Sequence, residues 1–250
     1  MDLLPVEIRV GVEGGAAALP VLTGPDGVTT TRRIWFAEDE GGVAAGEVPL
    51  LDGGVIVRFR TGDGGPDDLT VTLRPCTREQ LVGRFAARFD ATPFTYRIEQ
   101  DWSGEDRVLA ASLVHDHPPG ALVGAVEPGA DPAAPIDAVQ DQFLHACAPA
   151  VPLDGLVALG PVVSTRADGV RLDGVEVDVE AWSVAGTELL EASTRVRPED
   201  GEDADALTVR AEHRQRQLAQ AVRERGAELS KDPVDRTRRI LTALAAGPRR

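Results

Sequence analysis

Three arginines on two neighbouring predicted strands are the residues whose type and spacing best suit chemistry. Arg58 and Arg60 alternate with apolar residues in one predicted strand, and Arg74 lies on one face of the next. Turn chemistry in residues 62–68 favours a hairpin that places the three guanidinium groups side by side. Because like charges on adjacent strands repel unless an anion lies between them, the pattern predicts an anion clamp. The alternative is that these arginines are exposed and pair with carboxylates.

Acidic residues alternate in the same way later in the chain. Glu176, Asp178 and Glu180 share one face of a predicted strand, and Glu191 and Arg195 share one face of the following strand. Hard oxygen ligands hold Mg²⁺ or Mn²⁺, and such an ion can bridge phosphate oxygens and orient water. Salt bridges to the arginines are an equally supported interpretation, because a chain with 41 acidic residues has many carboxylates on strands.

Composition limits the class of protein. The 250 residues are 42% hydrophobic and 27% charged, which is typical of a globular domain. A net charge of −15 argues against a nucleic-acid or anionic-membrane binder, because both need a broad positive surface. The sequence shows no signal peptide, no apolar run of about 20 residues and no metal-binding cysteine spacing, so it predicts a cytoplasmic protein with free thiols.

Short strands joined by turns must position these side chains. Period-two alternation predicts about eight strands, while residues 37–54 and 116–135 are predicted to be loops. Helical spacing and capping signals predict helices over Thr77–Phe89 and Ile136–Ala148. Two further helices are predicted after the acidic segment Glu199–Asp205. The second of them is expected to begin with Asp232 as N-cap and Pro233 at the first helical position.

The charged residues at the polar positions are not mixed evenly among the strands, and their distribution indicates how the strands are arranged. Arginines dominate the polar face of the middle strands and carboxylates that of the late strands. A closed antiparallel barrel with a polar interior and helices outside would use this pattern. A sandwich with a solvent-facing polar surface is the alternative, and the bias alone does not establish closure.

The order and spacing of several segments resemble the CYTH group, also called triphosphate tunnel metalloenzymes, and especially its actinobacterial members. The resemblance covers residues 5–245 and is carried by Arg32–Phe36, Gly54–Arg60, Thr70–Pro75, Arg97–Trp102, Leu159–Pro161 and Leu189–Arg195. It implies an α+β fold: an eight-stranded antiparallel β-barrel, the triphosphate tunnel, with helices packed outside and a C-terminal helical tail. Residues 1–200 would form the barrel, and residues 201–250 would form helices packed on the same domain.

The resemblance also implies an activity and its residues. A metal-dependent phosphohydrolase acting on a triphosphate or polyphosphate would use Glu7 and Glu191 as catalytic residues. Its phosphate ligands would be Arg9, Arg58, Arg60, Arg74 and Arg195. Its Mg²⁺ or Mn²⁺ ligands would be Glu7, Glu176, Asp178 and Glu191. The partner implied is a small phosphate anion, with neither nucleic acid nor membrane, and the protein would be a monomer or homodimer.

Two departures from the family pattern favour a second interpretation. The family's Glu-x-Glu-x-Lys signature aligns with Pro5-Val6-Glu7-Ile8-Arg9, which lacks one glutamate and has arginine for lysine. The lysine usual in the strand before Arg74 is Thr72. Arginine and lysine are not interchangeable at a tuned site. The alternative is therefore a non-catalytic phosphate-ligand binder or a degenerate CYTH-like scaffold protein.

Overall fold

The structure is a computed structural model that describes residues 3–25, 27–62, 65–232 and 235–247. The strands within these ranges are β1 (Val6–Val12), β2 (Thr30–Asp39), β3 (Val55–Thr61), β4 (Asp67–Cys76), β5 (Phe89–Ala91), β6 (Phe94–Ser103), β7 (Asp106–His117), β8 (Leu156–Leu172), β9 (Val175–Val184) and β10 (Thr187–Val196). The α-helices are α1 (Leu19–Thr23), α2 (Glu40–Ala44), α3 (Pro49–Asp52), α4 (Ala138–Cys147), α5 (Ala204–Glu224) and α6 (Arg236–Ala245).

The strands pair in an order that closes on itself. Hydrogen-bonded neighbours follow the order β1-β10-β9-β8-β2-β3-β4-β7-β6, and β6 pairs back with β1. Strand β5 pairs with β6 outside this ring. The predicted barrel is confirmed, but in the described part of the chain its ring has nine strands rather than eight. The prediction of a wholly antiparallel barrel is wrong at one pair, because β1 and β6 run parallel.

The chain divides into two compact units. The first unit comprises Met1–Thr31, Glu99–Val108 and Ser164–Arg236, and the second comprises Arg32–Ile98, Leu109–Val163 and Thr237–Arg250. In the first unit, alternate apolar residues of β1, β9 and β10 form one core with the apolar stripe of α5. The opposite faces of the same strands carry the charged residues. The N-cap of α5 is Asp203, whose side chain accepts a hydrogen bond from the Ala206 N–H.

A buried amide joins α4 to the sheet in the second unit. Gln140 is fully buried and donates from Nε2 to the backbone carbonyls of Leu69 (2.8 Å) and Leu113 (3.3 Å), which lie on the paired strands β4 and β7. Asp137 and Gln140 also form the capping box of α4. The helix predicted over Ile136–Ala148 is confirmed, within two residues at each end.

The helix predicted over Thr77–Phe89 is wrong. The Thr77 N–H does donate to Oε1 of Gln80 (2.7 Å), which is half of the predicted capping box. The chain then forms only a turn at residues 78–80, is extended at Val82, and makes a 3₁₀ turn at Gly83–Ala86, where Gly83 has a φ of +58°. Burial of Phe85 against the rings of Tyr96 and Phe143 accounts for the departure.

The loop predicted over residues 37–54 contains α2 and α3. Asp39 caps α2 by accepting a hydrogen bond from the Gly42 N–H (2.6 Å). The buried Glu38 carboxylate accepts hydrogen bonds from the Leu50 and Leu51 N–H groups in the first turn of α3. Side-chain caps therefore build two short helices that periodicity does not reveal, because neither is long enough to show a stripe.

Two sequence predictions fall partly on residues that are not described. Residues 63–64 of the predicted hairpin turn and Pro233 of the last predicted helix lie outside the described residues. The flanking strands β3 and β4 do pair antiparallel, and α6 begins at Arg236. None of the described helices has both the length and the apolar character needed to cross a membrane.

Candidate functional site

The three arginines singled out by their spacing lie on one face of the β3–β4 pair in the second unit. Across the pair, Arg60 lies opposite Asp68 and Arg58 lies opposite Thr70. Arg74 lies further along β4, on the same face as Asp68 and Thr70. All three arginines are half-buried, whereas Val55, Val57 and Phe59 on the opposite face of β3 are buried and apolar. The alternation in the sequence therefore gives the correct face for each of them.

A buried carboxylate neutralises one of these arginines. Asp68 is only 4% exposed. Both of its oxygens accept from Nε of Arg60 (2.8 and 3.0 Å), and Oδ2 also accepts from Nη1 of Arg32 (3.3 Å). The Thr70 hydroxyl donates to Asp68 as well. This geometry holds Arg60 in place and reduces the positive charge that it offers to a ligand.

Hydroxyl groups lie next to the arginines on the same face. Thr72 lies where the resemblance implies a lysine, and its Oγ1 is 2.9 Å from Oγ of Ser112 on β7. Thr72 lies on β4 between Thr70 and Arg74, and Ser112 lies opposite it on β7. Guanidinium and hydroxyl groups are both donors to phosphate oxygens, so this face has the composition of an anion site with no ammonium group.

The predicted catalytic residue Glu7 is held by an arginine in the first unit. Arg195 lies opposite Glu7 across β1 and β10, and its Nε is 2.8 Å from a Glu7 carboxylate oxygen. Its Nη2 is 2.9 Å from Glu99. Both carboxylates are 13–14% exposed. Burial raises the pKa of Glu7 above its ordinary value, although Arg9 and Arg195 act in the opposite direction.

Arg9 has a buried carboxylate partner as well. Its Nε is 3.3 Å from Oδ1 of Asp101, a residue that is 1% exposed. Burial alone would lower the pKa of Arg9, but Asp101 and other nearby carboxylates raise it above its ordinary value. Arg9 and Arg195, two of the five predicted phosphate ligands, are thus already bound to acidic side chains of their own unit.

The predicted metal ligands on β9 also pair with arginines. Asp178 accepts from Nη2 of Arg166 (2.7 Å) and from the Gly169 N–H (3.0 Å). Glu176 is largely exposed and lies 3.8 Å from Arg171. The two carboxylates share a face of β9 but lie at its exposed end, where water screens their charge.

The most enclosed carboxylates of the first unit, Glu180 and Glu191, lie directly opposite each other across β9 and β10. Nη2 of Arg236 lies 2.8 Å from Glu180 and 3.3 Å from Glu191. The Arg236 guanidinium also stacks on the Trp182 ring at 3.9 Å. Burial raises the pKa of Glu191 despite Arg236 and Arg9. For Glu180, Arg236 and the Ser164 hydroxyl overcome the effect of burial and hold the pKa far below its ordinary value.

The donor set does not fit a divalent cation. Three of the four predicted metal ligands, Glu7, Asp178 and Glu191, lie within 3.3 Å of an arginine nitrogen, and Glu176 lies close to another. Among the residues that the structure describes, no group of three or more histidine, cysteine or acidic side chains could share a metal ion. A carboxylate whose oxygens bind guanidinium groups has few lone pairs left for a metal.

Sequence reasoning missed three residues that shape these faces. Asp68 ends the predicted turn and was expected to lie off the strand. Asp101 follows Glu99 by two residues, so the alternation along β6 would have found it. The third residue, Arg236, lies at the start of α6, and its side chain is only 13% exposed. No local signal reveals it, because its partners lie more than 40 residues away in the sequence.

Comparison with known proteins identifies the fold. The chain matches HpAC1 of Hippeastrum, an adenylyl cyclase candidate with a dominant triphosphatase activity, at a TM-score of 0.56 and 13% identity over 94% of each chain. It matches bh2851 of Bacillus halodurans, an adenylate cyclase candidate, at a TM-score of 0.54 and 13% identity over 95% of this chain and 98% of the other. No protein-family model matches the chain, and no curated protein matches it significantly in sequence. The chain therefore shares the fold of these two structures, a closed barrel of the kind that the resemblance implies.

Proposed function

We propose that this protein binds a small phosphate-bearing anion of the triphosphate or polyphosphate class without a divalent cation and without hydrolysing it. The observation that carries the proposal is that each carboxylate predicted to hold the metal lies beside an arginine of its own unit. A metal ion would have to displace these guanidinium groups before it could bind. The proposed setting is the cytoplasm, with the protein as a monomer or homodimer.

The β3–β4 face supports the anion-binding part of the proposal. Arg58, Arg60 and Arg74 lie on this one face, which also carries the Thr72 and Ser112 hydroxyls. Planar guanidinium groups with several donors suit the oxygens of a phosphate chain, and they do not lose their charge at any physiological pH. Arg58, Arg60 and Arg74 are the residues proposed to contact phosphate directly, and the ion pair with Asp68 reduces the charge that Arg60 offers.

The ion pairs that Glu7 and Glu191 form with arginines support the absence of hydrolysis. Hydrolysis of a phosphoanhydride needs a group that orients or deprotonates water, and both predicted catalytic carboxylates bind arginines. Arg9 and Arg195, expected from the resemblance to bind phosphate, are proposed instead to neutralise this acidic face. Their buried partners would otherwise repel one another and any polyanion.

A metal-dependent phosphohydrolase is the second candidate. The observation in its favour is the fold shared with HpAC1, which has a dominant triphosphatase activity. Under this candidate Glu7, Glu176, Asp178 and Glu191 would release their arginines and hold Mg²⁺ or Mn²⁺, and the ion would supply charge stabilisation to the phosphate.

Two measurements on the same protein test the proposal. Calorimetric titration with tripolyphosphate in EDTA should show binding that Arg58→Gln weakens at least about tenfold and that Arg97→Gln leaves unchanged, because Arg97 is an exposed residue of β6. Phosphate release from tripolyphosphate should stay at background with and without Mn²⁺. Mn²⁺-dependent release that Glu7→Ala abolishes would contradict the proposal and support the hydrolase.

A further inference from the structure

The carboxylate pair formed by Glu180 and Glu191 needs a cation. The two residues are directly opposed across antiparallel strands, where like charges destabilise the sheet. Their side chains are 15% and 13% exposed, so water screens the repulsion weakly. Asp235 and Asp101 add further negative charge around Glu191.

Arg236 supplies this cation, and its guanidinium lies in close contact with both carboxylates. Nη2 lies between the two carboxylates, 2.8 Å from Glu180 and 3.3 Å from Glu191. Nη1 donates to the Glu180 backbone carbonyl (3.3 Å), and the guanidinium plane covers the Trp182 ring. The second oxygen of Glu180 accepts from the Ser164 hydroxyl (2.6 Å). Each group in this cluster therefore has an oriented partner, which is unusual for a surface ion pair.

We propose that the guanidinium of Arg236 takes the place of a divalent cation between Glu180 and Glu191. The two carboxylates form a latent Mg²⁺ or Mn²⁺ site that one substitution exposes. This inference rests on the proposed metal-independent function and gives its cause: the cation is built into the chain at the first residue of α6. Binding of an external metal ion then requires removal of Arg236 from the pair.

The chemistry of the donors supports this assignment. Carboxylate oxygens are the ligands that Mn²⁺ and Mg²⁺ prefer, and the Ser164 hydroxyl adds a neutral oxygen. Without Arg236, two largely enclosed carboxylates would remain beside each other, and either a proton on one of them or a divalent cation between them would relieve the repulsion. A glutamine at position 236 retains much of the side-chain volume without the charge.

Binding of Mn²⁺ alone, in the absence of phosphate, tests the inference separately from the proposed function. Electron paramagnetic resonance should detect one bound Mn²⁺ ion in R236Q and none in the wild-type protein at the same Mn²⁺ concentration. The affinity of R236Q for Mn²⁺ should be at least about tenfold higher than that of the wild type. R238Q is the matched control: Arg238 lies on the same helix but pairs with exposed Asp52, so its loss should give no Mn²⁺ site. The double variant E180Q/R236Q should lose the site again.

Two results would overturn the inference. One is wild-type protein that binds Mn²⁺ as tightly as R236Q, and the other is folded R236Q that binds no more than wild type. Near-ultraviolet circular dichroism checks that each variant is folded. If R236Q does not fold, R236K replaces it: a lysine ammonium lacks the planar stack on Trp182 and the second donor that hold the guanidinium, so R236K should bind Mn²⁺ more tightly than wild type. Equal binding would overturn the inference.

Discussion

Replacing Asp68 by asparagine should change both the stability of the protein and its affinity for anions at the β3–β4 face. The substitution keeps the side-chain volume and an acceptor for the Thr70 hydroxyl, but it removes the charge that holds Arg60 and Arg32. Breaking a buried ion pair costs about 3–5 kcal/mol. Arg60 and Arg32 are 23% and 31% exposed, so water compensates in part and the expected loss of stability is about 2 kcal/mol.

The same substitution should strengthen anion binding. Arg60 would be free to contact phosphate, and one additional hydrogen bond to a charged group contributes about 1.5 kcal/mol, or roughly tenfold in affinity for tripolyphosphate. Urea unfolding followed by tryptophan fluorescence measures the first effect, and calorimetric titration measures the second. Both changes come from the same lost charge, so they should appear together.

The control for Asp68→Asn is Asp178→Asn in the first unit. Asp178 also binds an arginine, but its side chain is 41% exposed and that of Arg166 is 35% exposed. The expected loss of stability is therefore below about 1 kcal/mol. The reasoning is refuted if Asp68→Asn is as stable as wild type, or if it binds tripolyphosphate more weakly.

Three further predictions follow from other contacts. Arg195→Met leaves Glu7 and Glu99, which are 13–14% exposed, without this guanidinium and should cost about 2 kcal/mol in urea unfolding, whereas exposed Arg171→Met should change stability by less than about 0.5 kcal/mol; equal effects would contradict the burial argument. The pKa of Glu180 lies below the ordinary value of 4.5, so its ionised form stabilises the fold above that pH and the benefit disappears on acidification. The difference in unfolding free energy between wild type and Glu180→Gln should accordingly stay constant above about pH 5 and shrink as the pH falls below about 4.5, and a difference that stays constant down to about pH 3 would be evidence against it. Tyr96→Phe removes a hydrogen bond to the Phe85 carbonyl and should lower the unfolding free energy by about 1 kcal/mol; no loss would show that the bond contributes nothing.

The sequence predicted the strands well because their alternation is strict. In β3 every second residue is buried, so the face of Arg58 and Arg60 follows from the pattern alone. Strand β5 escaped prediction because it has three residues, too few to show a period. The parallel pairing of β1 with β6 joins residues more than 90 positions apart, and no local pattern specifies such a contact.

The sequence predicts on which face of its strand each residue of the candidate site lies, but it does not predict which side chain that residue pairs with. Alternation showed that Glu7 and Arg195 lie on polar faces, but their ion pair depends on the register between the first and last strands. The contact of Arg236 depends on where the chain places α6, which composition does not determine. Salt bridges between arginines and acidic residues were the stated alternative to a metal site, and the positions of these side chains favour that alternative.

The central claim, binding of a phosphate anion without a metal ion, is tested most directly by one calorimetric titration of the wild-type protein. Tripolyphosphate is titrated first in EDTA and then in excess Mn²⁺, with the ion's own binding to tripolyphosphate subtracted. The account predicts binding in EDTA with a dissociation constant that Mn²⁺ does not lower. Binding that appears only when Mn²⁺ is present would contradict it.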